Sequence, residues 1–113
     1  MAGPFVLDRA PILERLGGDE DIYAMMVEMF LSDVDNNCDM LAAAFADGDS
    51  DGVLRQAHTI KGLLATFSDD EGAAEAHDLE KRLKAGEALS VVREDVGGLQ
   101  SRLREVAKVL QQG

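Results

Sequence analysis

Val92, Val96, Leu99, Leu103, Val106 and Leu110 recur at steps of four, three, four, three and four residues. That spacing keeps all six on one stripe of an α-helix, the seam of a helix packed along its whole length. Such a seam needs partner helices, and the chain supplies three more stripes at the same period. Ile22, Met26, Met29, Phe30, Cys38, Leu41 and Phe45 form one, with a wobble near Val34. Val53, Ala57, Ile60, Leu64 and Phe67 form another, and Gly72, Ala76, Leu79 and Leu83 the last. The pattern breaks near Gly17-Gly18, near Gly48-Asp49, at Ser68 and at Gly86. Asp8 is placed to cap a short lead helix with Pro11 in its first turn. Asp19 opens the next helix, with Glu20 and Asp21 at the positive end of its dipole. The following helix starts after Asp49, Ser68-Asp69-Asp70-Glu71 fits a capping box, and Gly86 sits where a C-terminal cap belongs. Gly97 and Gly98 weaken the last helix locally, by about 1 kcal/mol each relative to alanine. Short loops between long amphipathic helices make neighbours antiparallel. The expected fold is all-α, an up-down antiparallel four-helix bundle behind a short N-terminal lead helix.

Alanine and leucine, strong helix formers, dominate the apolar residues, and aromatics are only 4%. A chain of 113 residues suffices for one compact domain and not for two. Its net charge of −11 would repel nucleic acid and anionic membranes, so neither is an expected partner. Cys38 is the only cysteine, which excludes an internal disulfide and a cysteine metal site. No apolar run reaches membrane-spanning length and no secretory leader opens the chain, which implies a cytoplasmic protein. Met25, Met26 and Met29 are read as core filling rather than a methionine-rich binding face. No metal site is expected, because His58 and His77 have no third ligand.

His58 is the residue with chemistry to offer. At about 100° per residue, the apolar stripe of its helix is centred roughly 140° away from it. Leu54, Lys61, Gly62 and Ala65 lie within about 60° of it on the other side. His58 therefore faces out, flanked by a lysine three residues on and a glycine four residues on. A plain surface histidine leaves Gly62 unexplained, because glycine within a helix costs about 1 kcal/mol against the alanine this chain uses freely. A glycine there removes bulk where another protein would approach the imidazole. A neighbouring lysine alone is an ordinary solvated charge, but beside a phosphorylated histidine it offsets negative charge and donates a charge-assisted hydrogen bond. Neutral imidazole is a competent nucleophile near neutral pH.

His58-Thr59-Ile60-Lys61-Gly62 resembles the H-x-x-K-G signature of histidine-phosphotransfer (HPt) domains. Leu16-Gly17-Gly18-Asp19-Glu20 is similar to the family's turn before its first long helix. Ala46-Asp47-Gly48-Asp49 is similar to its turn before the histidine helix, and Asp78-Leu79-Glu80 to a leucine-glutamate pair on the next helix. The resemblance covers about residues 7–110 and implies a single HPt-like domain over 1–113. It implies that His58 accepts the phosphoryl group, Lys61 supports it, and Gly62 admits a response-regulator receiver domain. Leu54, Arg55, Thr59 and Ala65 are the expected partner surface. The implied partners are receiver domains and a hybrid sensor kinase, with the chain itself a monomer. The implied role is that of a phosphorelay carrier, not an enzyme: it needs no cofactor, and Mg²⁺ belongs to the receiver. No P-loop or kinase motif is present. The sequence departs from the family's pattern where Leu63 and Leu64 stand in place of small residues and Ser68 in place of glycine. Leu64 should lie in the core and Leu63 at its edge.

Two other readings stay open on these residues. One is a binding-only helical adaptor in which His58 is not phosphorylated. The other is an HPt fragment of a larger hybrid sensor kinase, against which the Met1 start and the end after Gly113 favour a free-standing protein.

Overall fold

The computed structural model describes residues 3–113. Its helices are α1 (Arg9–Arg15), α2 (Glu20–Ala46), α3 (Ser50–Thr66), α4 (Asp70–Lys84) and α5 (Arg93–Gln112), with one 3-10 turn at Leu89–Val92 before α5. The four long helices make an up-down bundle of 43 × 21 × 21 Å, and α3 packs most extensively on α4. The buried faces of the four long helices converge on one core.

Each of the first four helices is opened by an aspartate whose carboxylate takes up N–H groups the helix cannot satisfy itself. Asp8 accepts from Ala10, and Asp19 from Asp21 and Ile22. Asp49 accepts from Gly52 at 2.9 Å and Asp69 from Gly72 at 3.1 Å. The cap of α4 is thus Asp69, not the Ser68 of the expected capping box. Ser68 instead closes α3: its N–H reaches Ala65 O, that of Asp69 reaches Leu64 O, and Ser68 itself takes φ +60°. That left-handed conformation favours glycine, so the serine that departs from the pattern adopts it at some cost. Gly86, at φ +90°, ends α4 as expected.

Asp69 does a second job. It receives a two-pronged contact from Arg102 of α5, Nε to Oδ2 at 2.7 Å and Nη2 to Oδ1 at 2.6 Å, with both side chains buried. A fork of this geometry is strong and directional, and it fixes the start of α4 against α5. Arg102 also donates to Gly3 O, and Phe5 packs into the core beside it.

The seam of α5 is buried as read, and so is the α3 stripe from Val53 to Phe67. Leu64 lies in the core and Leu63 is partly buried against it. The α2 stripe is buried as read at Phe30, Cys38 and Leu41 and needs correction at its start. Its buried residues are Tyr23, Phe30, Val34, Cys38 and Leu41, whereas Ile22, Met25 and Met29 are exposed and Met26 only partly covered. Two stripes of equal period run side by side on α2. The larger rings decide between them: Phe30 meets the edge of Phe67 at 5.2 Å, and Tyr23 lies under the Arg9 guanidinium of α1. The methionines at 25 and 29 therefore do not fill the core.

Candidate functional site: a histidine wired to a buried carboxylate

His58 sits midway along α3 with 69% of its side chain exposed, on the face opposite Ala57 and Ile60, which are fully buried. Its Nδ1 lies 3.1 Å from Oε2 of Glu80 on α4. Glu80 is almost wholly buried, at 4% of its side chain, and its other oxygen stands 2.7 Å from Lys61 Nζ. Lys84, one turn further along α4, places its ammonium 3.7 Å from Oε2.

These contacts determine the state of the carboxylate. Burial works to raise the Glu80 pKa, but the Lys61 and His58 contacts outweigh it and hold the group below the ordinary glutamate range. Glu80 is therefore ionised at neutral pH and has no proton to give, so the hydrogen between it and His58 belongs to Nδ1. In the neutral ring Nδ1–H is then the donor to Glu80, and the lone pair lies on Nε2. A neutral imidazole held through Nδ1 offers Nε2 as its nucleophilic nitrogen.

Lys61 is only 29% exposed and anchors the buried carboxylate, which corrects its reading as a solvated charge. Gly62 faces open space: a Cβ built on it would meet nothing within 4 Å. The glycines at two helix starts behave otherwise. A Cβ on Gly72 would overlap the Asp69 carboxylate, which Arg102 pins in place, and would press on Leu64. Gly72 is there for packing; Gly62 has no packing reason.

Of the expected partner surface, Arg55, Thr59 and Ala65 are exposed and Leu54 is partly buried. A shallow recess of about 410 Å³ gathers Leu54, Arg55, His58, Thr59, Glu80 and Lys84. A larger groove of about 630 Å³ between α4 and α5 is lined mainly by acidic side chains and includes none of the His58 cluster. His77 is exposed and makes no part of the site. Among the described residues there is no cluster of three or more metal-ligating side chains, and no helix long and apolar enough to cross a membrane.

Sequence reasoning passed over Glu80 and Lys84 as functional residues. Glu80 was visible only as part of a pattern, yet one signal was present: it lies about 70° from the centre of the α4 apolar stripe. A charged residue so close to a buried stripe needs a partner.

Comparison with known proteins agrees with the fold. The sequence model of the Hpt domain family matches residues 25–112. Among solved structures, the HPT domain of the Hpt sensor hybrid histidine kinase from Shewanella superposes with a TM-score of 0.81 at 16% identity, covering 94% of this chain and 91% of that one. No curated protein matches the chain.

Proposed function

The chain belongs to the Hpt domain family, the histidine-phosphotransfer modules of two-component signalling, and from that premise we propose that it relays a phosphoryl group through His58. The group arrives from an aspartyl phosphate on one receiver domain and leaves to the aspartate of another. The observation that carries this reading is the Nδ1 contact of His58 with Glu80 on a largely exposed ring, which leaves Nε2 as the nitrogen to react.

In the forward step the Nε2 lone pair forms the N–P bond as the P–O bond to the receiver aspartate breaks. The electron pair of that bond stays with the departing carboxylate. The Nδ1 proton remains in its hydrogen bond to Glu80, and the buried carboxylate balances the positive charge that develops on the ring. Phosphoryl transfer depends on positioning and charge neutralisation. Lys61 contributes by fixing Glu80, and Gly62 by leaving the approach to the ring open. The receiver and its Mg²⁺ supply the remaining neutralisation, and the chain needs no cofactor of its own. It acts as a stoichiometric carrier. Leu54, Arg55 and Thr59 beside the ring, with Ala65 about two turns on along the same face, form the surface that meets the receiver.

The test is incubation with phosphorylated receiver domains and measurement of acid-labile phosphate on this chain. Transfer supports the proposal. Receivers that retain or hydrolyse their phosphate, with none acquired by the chain, would leave the binding-only adaptor as the better reading.

A further inference from the structure

Two lysines share one carboxylate at this site, and they share it unequally. Lys61 Nζ is 2.7 Å from Oε1 of Glu80, and its side chain is 29% exposed. Lys84 Nζ is 3.7 Å from Oε2, on a side chain 64% exposed. Oε2 is already engaged by His58 Nδ1 at 3.1 Å. One carboxylate cannot neutralise two ammonium groups, so with a neutral ring the cluster carries one surplus positive charge. The more weakly held cation is Lys84, and it borders the same recess as His58 and Thr59. The other cation on that recess, Arg55, has Asp49 at 4.0 Å.

We infer that Lys84 is the cation that follows the phosphoryl group, swinging from Glu80 to the phosphoryl oxygens on Nε2, while Lys61 stays on Glu80 as the fixed anchor. The inference rests on phosphorylation of His58. A phosphoryl group brings close to two negative charges, and the ring, keeping its Nδ1 proton, becomes positive. The surplus charge of the free site then meets its counter-charge with no other group moving. An exposed i,i+4 lysine–glutamate pair contributes little to stability, so Lys84 gives up little by leaving Glu80. Moving Lys61 instead would strip a buried carboxylate of its closest partner. The proposal divides the work: Lys61 positions the ring through Glu80, and Lys84 touches the phosphate.

The test uses phosphoramidate, a small donor that phosphorylates exposed imidazole without any receiver, so failure of the relay reading would not obscure it. All proteins carry His77→Gln, leaving His58 as the one histidine to label. The ³¹P resonance of the phosphohistidine is titrated against pH in the otherwise unaltered protein and with Lys84→Gln, Lys84→Arg and Lys61→Gln. Loss of a cation beside the phosphoryl group raises its second ionisation, and Lys84→Gln should shift it up by about half a unit. Lys84→Arg should restore the original curve, and added salt should shrink the difference. A merely structural lysine would leave this titration unmoved. A Lys84→Gln curve that overlays the unaltered one would overturn the inference, and a shift seen only with Lys61→Gln would assign the phosphate to that lysine instead.

Discussion

Glu80 holds Nδ1 of His58 at 3.1 Å from a position almost completely buried in the bundle. The exposed imidazole is thereby held by a carboxylate buried beneath it. One nitrogen of the ring is thus engaged within the bundle, and the contact depends on the carboxylate remaining charged.

Glu80→Gln should preserve the bundle but loosen that orientation. An amide has no charge to balance a phosphorylated ring, so phosphoryl acceptance should fall at least tenfold, equivalent to about 1.4 kcal/mol of transition-state stabilisation. Transfer rates from a phosphorylated receiver, measured beside circular dichroism of the two proteins, check this. An equal rate in the variant would remove Glu80 from the account.

The same carboxylate predicts a pH dependence. Its folded pKa is lowered, so its stabilising contribution is fully present above the ordinary glutamate range and is lost as pH falls through the folded value. Melting curves from pH 7 down to pH 3 should therefore show an acid-side loss of stability that is shallower in Glu80→Gln. Parallel curves would mean that Glu80 titrates alike in folded and unfolded chains.

Lys61→Ala should slow transfer and also destabilise the fold by about 1 kcal/mol, because it leaves a buried carboxylate without its nearest cation. Lys84→Ala should leave thermal stability nearly unchanged. Denaturant melts of both variants decide the matter; equal effects would contradict the unequal sharing of Glu80.

Two glycines should respond with opposite signs. Gly62→Ala faces open space and should stabilise by up to about 1 kcal/mol. Gly72→Ala should destabilise, because its Cβ would displace a carboxylate that Arg102 holds at two points. Gly62→Gln should melt no lower than the unaltered protein yet obstruct the receiver and slow transfer. An unaltered transfer rate in Gly62→Gln would remove the access argument.

Much of this was legible in the residues. The seam from Val92 to Leu110 and the α3 stripe required only a helical period, and that same period turned His58 outward and placed Lys61 and Gly62 beside it. On α2 periodicity placed Phe30, Cys38 and Leu41 in the core but failed at the start of the helix, where Ile22-Met26-Met29 and Tyr23-Phe30-Val34 fit a helix equally well. The choice was made by neighbours in space, Phe67 and the Arg9 side chain. The Asp69–Arg102 fork and the Glu80 cluster were also hidden, since each joins residues from different helices. Which charges meet across a bundle is set by packing depth and rotation, neither of which a stripe records. For the same reason Lys61 read as a surface charge until its partner was seen beneath it.

The central claim is that His58 carries the phosphoryl group, and substitution at that position tests it most directly. The unaltered chain and His58→Gln are each incubated with a phosphorylated receiver domain, and acid-labile phosphate is mapped by mass spectrometry. Phosphate on His58 alone, and none on a His58→Gln protein that folds and melts normally, is the predicted result. Undiminished labelling of His58→Gln, or phosphate found on His77, would contradict it.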